Sequence, residues 1–275
     1  MIPKMETSIE MRPIASIAEM QAVEELQKEV WGIPDIEVVP ISQLAAAIAA
    51  GGCLLGAFEN GKLIGFAYGF VSYEKGQMAH HSHMLAVKPE YRNYKLGEKL
   101  KRAQREFVLQ QGISLMSWTF DPLQSLNAYF NFNKLGVVSD QYFVNFYGED
   151  APSFLHQNGT DRLWVVWDLT NRQINKTNFD YDLEQITPLV KVGIDESPLS
   201  SDLDEGLEAN HALIEIPSNI NDLVKRNSEL AKKWRESTRL AFTEAINKGF
   251  LVENFYRINR GDQQAGVYLL TRLTQ

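Results

Sequence analysis

The sequence predicts an α/β fold in the mixed α+β sense, with a central sheet flanked by helices. Three observations carry this. Windows with an apolar residue every three or four positions alternate with short apolar runs. Two of those runs meet across Asn60-Gly61, the strongest short-range hairpin signal. A third ends at Val87 and passes through Pro89 into a long basic helical pattern.

The elements follow in order. Ser16-Ile17-Ala18-Glu19 is a capping box that opens a helix to about Val30, with Ile17, Met20, Val23 and Val30 as its stripe. Trp31-Gly32-Ile33-Pro34 stops it. An Ala-rich helix runs from Ile41 to Gly51-Gly52. Cys53 to Phe58, Lys62 to Tyr73 and Met78 to Val87 read as a three-strand meander. Tyr94 to Gln111 is a helix with Leu96, Leu100, Ala103 and Phe107 on one face. Ile113 to Phe120 is a strand, and Ser125 to Leu135 a helix ended by Gly136. Val137 to Tyr147 and Arg162 to Leu169 are strands joined by a polar loop. Asn171 to Glu208 is polar, and its part from Asp195 holds six acids and no base, which predicts a solvated linker. Leu213 to Ile216 is a strand and Asn221 to Asn247 a helix. Phe250 to Asn259 and Val267 to Leu273 are strands around Arg260-Gly261-Asp262. The expected division is 1–170 and 171–275.

Composition narrows the function. The chain has 27 basic and 35 acidic residues, net −8, which argues against a nucleic-acid binder. The apolar run Leu44 to Phe58 is too short to span a bilayer and Gly51-Gly52 break it, so no membrane partner is expected. No signal-peptide pattern follows Lys4 and Glu6. A single cysteine, Cys53, fits a reducing compartment, and a cytoplasmic location is expected.

Basic charge is concentrated. Seven cations (Lys88, Arg92, Lys95, Lys99, Lys101, Arg102 and Arg105) fall within one short stretch against Glu90 and Glu98. The start of a helix offers N–H groups without partners and a positive dipole end, hence an anion site. A solvated helix face is the competing account of the same run.

The spelling of the turn shifts the balance towards the anion site. Val87-Lys88-Pro89-Glu90-Tyr91-Arg92-Asn93-Tyr94-Lys95-Leu96-Gly97 resembles the acyl-coenzyme A signature of the GNAT N-acyltransferase superfamily. Arg92 matches the leading Arg and Gly97 the second glycine, while Lys95 stands at the first glycine. The resemblance covers about residues 10 to 170 and implies a GNAT core. It implies that the backbone from Arg92 through Asn93, Lys95, Leu96, Gly97 and Glu98 cradles the pyrophosphate of acetyl-CoA or another acyl-CoA. It also implies that Asn127 lies beside the donor and that a backbone N–H within Leu85, Ala86 and Val87 polarises the thioester. His81-Ser82-His83-Met84, Trp118 to Leu123, Lys134-Leu135-Gly136 and Asp161-Arg162-Leu163 resemble a bacterial and archaeal branch of predicted GNAT acetyltransferases. Some members of that branch are associated with amino-acid N-acylation, N-succinylation included.

Direct attack by an amine needs a neutral amine and a polarised carbonyl, and no enzyme nucleophile. Cys53 is read as a small apolar residue. The Glu that family members often carry as base on the strand before the signature is absent; His80, His81 and His83 stand there. Alternation puts His81 and His83 on one face, Cα atoms about 6.6 Å apart, and His80 on the other. His81 and His83 are candidates for proton transfer or substrate contact, with a hydrogen-bonded core role equally weighted. No third metal ligand has convincing spacing, so no metal is expected. The family's Tyr general acid corresponds here to Phe132, and Tyr129 is the substitute candidate. Asp121 and Arg162 are candidate substrate-facing charges, with salt bridging the competing role. An Arg is the natural clamp for an amino-acid carboxylate. The aromatics Trp118, Phe120, Trp164 and Trp167 are read as core.

The expected activity is transfer of acetyl or another short acyl group, succinyl included, to a primary amine of a small metabolite, an amino acid foremost. The alternatives are a catalytically inactive CoA-binding sensor and a protein N-acetyltransferase. Oligomeric state is left open, with a homodimer as one option.

Overall fold

The computed structural model describes residues 9–149, 158–170, 181–261 and 263–273, and of Asn93 the backbone alone. Lys4, Glu6, Asp262, part of the loop before Arg162 and the start of the stretch from Asn171 lie outside the described residues. The chain forms two compact units. The first reaches Trp118 and takes in Asp168–Thr170; the second holds the remaining described residues from Thr119 on. The second unit therefore contains residues from both sides of position 170.

Unit 1 begins with β1 (Glu10–Pro13), a short edge strand that pairs antiparallel with β2 (Cys53–Glu59). Helix α1 (Ile17–Trp31) starts at the predicted box: Ser16 Oγ accepts from Glu19 N–H, and the Glu19 carboxylate reaches back to the Ser16 N–H. Gly32 ends it at φ 61°, in the left-handed region. Helix α2 spans Ile41–Ala49. The meander continues with β3 (Lys62–Glu74) and β4 (Gln77–Val87). Both hairpins use two-residue turns with positive φ, 50° and 75° at Asn60-Gly61 and 48° and 82° at Lys75-Gly76. That is the mirror-image turn whose twist suits paired strands.

Helix α3 (Leu96–Gln110) starts two residues later than its periodicity predicts. The segment Pro89–Tyr94 is a tight 3₁₀ turn, and Lys95 reverses the backbone before the helix begins. Strand β5 (Leu115–Phe120) then pairs parallel with β4 at His80↔Met116 and His81↔Ser117. The sheet order β1-β2-β3-β4-β5 is thus mixed, antiparallel except at its last pair.

Helices cover both faces. Met20, Val23, Leu26, Leu44 and Ala47 from α1 and α2 pack with Leu54, Phe58, Phe66, Tyr68 and Ala86. Leu96 and Leu100 of α3 pack with Cys53, Leu55, Ala57, Ile64 and Ala67. Alternation along β2 and β3 sends successive residues to these two clusters.

Unit 2 opens with α4 (Ser125–Tyr129), which continues as a π-helical turn, Phe130–Leu135, closed by Gly136 at φ 77°. The predicted single helix is therefore split by a change of winding. Strand β6 (Val138–Phe143) is shorter than expected, because Asn145 turns at φ 48° with its N–H bonded to Asp161. After β7 (Arg162–Asp168), two strands, β8 (Pro188–Val192) and β9 (Pro198–Ser200), and a short helix α5 (Leu203–Gly206) lie where a linker is predicted. They correct that expectation: the acids cap and flank structure, as Asp202 does at the start of α5.

Strand β10 (His211–Pro217) precedes α6 (Ile220–Arg226) and α7 (Ser228–Asn247). One predicted helix becomes two because the Asn227 side chain caps the Leu230 N–H and starts a new ladder. The hairpin β11 (Phe250–Arg260) and β12 (Gln263–Arg272) completes the order β7-β6-β11-β12-β10-β8-β9. Helix α7 buries Trp234, Ala241 and Phe242 against this sheet. No single helix among the described residues is long and apolar enough to cross a membrane.

Candidate functional site

The site is assembled on β4 and the turn that follows it. Strand β4 hydrogen-bonds to β3 along its length, but the register slips: Tyr68 faces Met84 and Gly69 faces Ser82. His83 is the extra residue of a β-bulge. The bulge changes the phase of alternation. Before it, His80 and Ser82 face α3, where they meet Gln104. His81 and His83 face the other way, as expected, with ring centroids 6.1 Å apart. After it, Met84 and Ala86 join the cluster under α1 and α2, while Leu85 and Val87 join the one under α3.

Phe70 lies 5.4 Å from the His81 ring and 5.7 Å from the His83 ring, and Tyr68 6.0 Å from His83. Ser117 Oγ is 3.5 Å from His81 Nδ1. His81 is half-buried and His83 keeps an exposed edge. Burial pushes the His81 imidazole down to about 4, helped by the neighbouring His83 and Lys101. His83 is lowered by burial alone. An imidazole in this state is neutral at pH 7, so it presents a hydrogen-bond acceptor without a positive charge.

The turn forms an anion cradle. Lys95 sits at φ 56°, ψ 25°, the left-handed conformation that a glycine adopts freely and a side chain only at a cost. The departure at this position therefore keeps the backbone path expected of a glycine. The first bond of α3 runs from Lys99 N–H to Lys95 O, which leaves the N–H groups of Leu96, Gly97 and Glu98 without acceptors inside the helix. A Cβ built on Gly97 would meet only Leu85 Cδ2, at 3.7 Å, so the space beside this backbone is open. The Tyr91 hydroxyl donates to Glu59 and ties the turn to the end of β2; that hydrogen bond holds the phenol up at about 12.

The cations are not equivalent. Lys88 pairs with Glu29, Arg102 with Glu98 and Arg105 with Glu106, and Arg105 also donates to the Leu169 carbonyl. Arg92, Lys95 and Lys99 are exposed and have no acidic partner among the described residues. Lys101 is only 3% exposed, so it is neither part of a solvated face nor available to an external anion. The structure thus separates three available cations from the seven in the sequence.

Beyond His81, the second edge of β4 has no paired strand among the described residues, and the segment Ser82 to Val87 carries Leu85, Ala86 and Val87 there. Free backbone groups along such an edge can hydrogen-bond an extended ligand.

The other four sequence candidates belong to unit 2. Asp121 caps the Leu123 N–H and lies 2.8 Å from Arg235 Nη2, inside the unit rather than on a solvated bridge. Arg162 is 8% exposed, donates to the Asp161 carbonyl and lies over the Tyr147 ring. Tyr129 is half-buried with Arg257 over its ring at 4.5 Å, and Asn127 is exposed. Phe132 is fully buried, edge-on to Tyr268, in an apolar core. Among the described residues no cluster of three His, Cys, Asp or Glu side chains could hold a metal ion.

Missing from the sequence reading were Tyr68 and Phe70 as walls of the histidine face and Lys101, Ser82 and Gln104 behind it. Helical spacing held a signal for two of them: Lys101 and Gln104 share the buried stripe of Leu100 and Val108.

A mixed sheet with helices on both faces, a strand turning into an anion-binding helix start and neutral imidazoles on that strand define a domain suited to a pyrophosphate-bearing co-substrate. Residues 19–136, under half of the chain, match the model of the Acetyltransferase (GNAT) family, and that stretch holds the acyl-CoA-dependent N-acyltransferase domain. Solved structures of low similarity include a GNAT-family protein from Desulfovibrio desulfuricans, with 15% identity and TM-score 0.48, covering 59% of this chain and 99% of that one. Another is a GNAT acetyltransferase from Elizabethkingia anophelis with acetyl-CoA bound, with 15% identity and TM-score 0.46, covering 58% of this chain and 97% of that one. A third is the ribosomal-protein-S18-alanine N-acetyltransferase of Escherichia coli, with 14% identity and TM-score 0.44, covering 59% and 94%. No curated protein matches the chain in sequence.

The residues present fit the co-substrate. Open space at Gly97, three free N–H groups and three unpaired cations suit a pyrophosphate and a further phosphate. Acyl-CoA supplies the activated thioester carbon.

Proposed function

We propose that this chain acylates the primary amine of a small metabolite, an amino acid foremost, with an acetyl or other short acyl group, succinyl included. The observation that carries the proposal is the neutral histidine pair between Tyr68 and Phe70, on the strand that leads into the anion cradle. Its location fits an acceptor amine arriving next to a thioester held along β4. A charged acceptor is not repelled there, because both imidazoles are neutral.

Magnitudes choose between the two histidines. An α-amino group has a pKa near 8, so handing its proton to a base near 4 runs uphill by about 4 units, or about 5 kcal/mol. His81 is therefore the worse base. It serves as a hydrogen-bond acceptor that orients the amine, itself oriented by Ser117. His83 escapes the extra pushes on His81 and has an exposed edge through which a proton passes to water. We assign His83 as the proton acceptor, direct or through water, and the backbone N–H groups of Leu85 to Val87 as polarising donors. With no acid beside the cradle among the residues of its own unit named above, leaving-thiolate protonation falls to water.

The test is turnover of acetyl-CoA and succinyl-CoA on a panel of amino acids, simple amines and peptides, read as free thiol released. The expected result is turnover on a free amino acid and at least a hundredfold loss of kcat in His83→Ala with unchanged acyl-CoA affinity. Turnover on peptides alone redirects the reading to a protein acceptor. Saturable CoA binding with no turnover on any amine sinks the enzyme reading in favour of a sensor.

A further inference from the structure

On the opposite face of β4 from the two histidines lies a buried polar chain. Lys101 Nζ donates to Ser82 Oγ at 2.6 Å, and Ser82 Oγ donates to Gln104 Oε1 at 2.7 Å. Gln104 Nε2 lies 3.2 Å from His80 Nε2. The Gln amide donates there, which leaves the His80 ring proton on Nδ1, and that atom has no partner among the described residues. Lys101 Nζ also rests 3.6 Å from the centroid of the Trp118 ring. Lys101, Gln104, Ser82 and His80 are each at most 4% exposed.

This arrangement is costly and specific. A lysine amine inside a protein needs a reason, because burial opposes its charge. No carboxylate joins the chain among the described residues; the groups around Nζ are Ser82, the Trp118 ring, Cys53, His80 and, from the other face of β4, His81. Desolvation holds the amine well below its usual range. A Cβ on Gly69 would sit 3.0 Å from Gln104 Nε2 and 2.3 Å from His80 Nε2, so β3 is glycine where the chain passes. The chain ties three elements (α3, β4 and β5) at one place. That place is Ser82, between His81 and His83, beside the bulge and next to the β4–β5 pairs at His80 and His81.

We propose that Lys101 is a positioning residue for acyl transfer: through Ser82 it fixes the bulged segment of β4 and so sets the direction of the His81 and His83 rings. The proposal rests on the reading of those histidines as the acceptor face. A bulged segment is free to relax unless something holds it, and side chains on the opposite face turn with it. Replacing Ser82 or Lys101 by an apolar residue leaves the cradle at Arg92 to Glu98 untouched, so the donor site stays intact while the acceptor face loosens.

The test uses the full chain with Lys101→Met, which keeps the apolar stem, and Ser82→Ala, which removes one oxygen. Two readouts are taken: kcat and KM on the acceptor found by the amine panel, and the imidazole signals of His81 and His83 by NMR across pH. The expected result for each variant is a tenfold or greater fall in kcat, KM for acyl-CoA within twofold, and both imidazole signals moved with higher titration midpoints. The double variant loses little more than either single one, because the two act as one unit. Wild-type kcat together with superimposable imidazole signals overturns the proposal. Should Lys101→Met fail to fold, Ser82→Ala alone decides it. Should the wild type acylate no amine, the reading of function fails, yet the NMR comparison still shows whether Lys101 directs the histidines.

Discussion

Gly69 and His80 stand so close across the β3–β4 pair that a Cβ on the glycine would lie 2.3 Å from Nε2 of the histidine and 2.5 Å from the His81 carbonyl oxygen. The second of these neighbours is backbone and cannot swing away. Gly69→Ala must therefore push β4 or break the Gln104 contact, and overpacking of this kind costs about 1–3 kcal/mol. A thermal or urea melt is expected to show a loss at the upper end of that range, together with reduced kcat. A stable, fully active Gly69→Ala would show that the polar chain behind β4 has room to spare.

Lys95 holds a left-handed backbone with a side chain attached, a conformation that costs an L-residue roughly 1–2 kcal/mol. Lys95→Gly relieves it, so the melting temperature is expected to rise. The same change removes one of three unpaired cations from the cradle, and the affinity for CoA is expected to fall severalfold, with a weaker dependence on salt. Opposite movements of stability and affinity, seen by calorimetry at two ionic strengths, separate the two roles. Unchanged affinity would leave Lys95 with a steric cost and no electrostatic purpose.

Local rules carried unit 1 a long way. The capping box at Ser16, the Asn60-Gly61 turn, the strand before Pro89 and the helix after it are each set by neighbours in sequence, and each is found. The same locality explains the cradle, since Lys95 adopts the backbone that the resemblance to a glycine loop implies. What sequence could not supply depends on partners far along the chain. The bulge at His83 exists because β3 and β4 slip against each other, and nothing in His81-Ser82-His83 announces it. Lys101 looked like one more solvated cation until Ser82, from β4, came to meet it.

Unit 2 was less legible for a related reason. Its strands β8 and β9 are short, polar on one side and bordered by acids, so composition spoke for a linker. Asp121 reads as a substrate-facing charge or half of a surface salt bridge, yet Arg235 of α7 meets it inside the unit, and Arg239 meets Asp161, each from more than seventy positions away. Burying such pairs requires partners that a linear reading cannot pair up.

Phe132 occupies the position where the family resemblance implies a Tyr acid. Its ring is 5.7 Å from Tyr268 and 6.3 Å from Phe120, wholly out of water. A hydroxyl added there has no route to solvent and must find a buried partner or cost about 1–3 kcal/mol. Phe132→Tyr is expected to lower stability and leave kcat no higher. A gain in kcat would show that the ring reaches the leaving group, and would return the acid to this position.

His80 sets a limit on acid stability. Its ring is fully buried, and burial first, then Lys101 and His81, lower its titration from 6.5 to about 3. The folded protein therefore refuses a proton that the unfolded chain accepts. Stability from this group is fully present above pH 6.5 and is lost progressively as pH falls from 6.5 towards 3. At pH 5 the unfolded chain is already mostly protonated at this position, which costs the fold about 2 kcal/mol. Denaturant melts at pH 7.5 and pH 5 measure this directly. His80→Gln keeps a hydrogen-bonding group beside Gln104 but does not titrate, so its variant is expected to be weaker than wild type at pH 7.5 and to lose less between the two values. Equal losses in both proteins would mean that His80 protonates as readily folded as unfolded, which its burial against Gln104 and Gly69 does not allow.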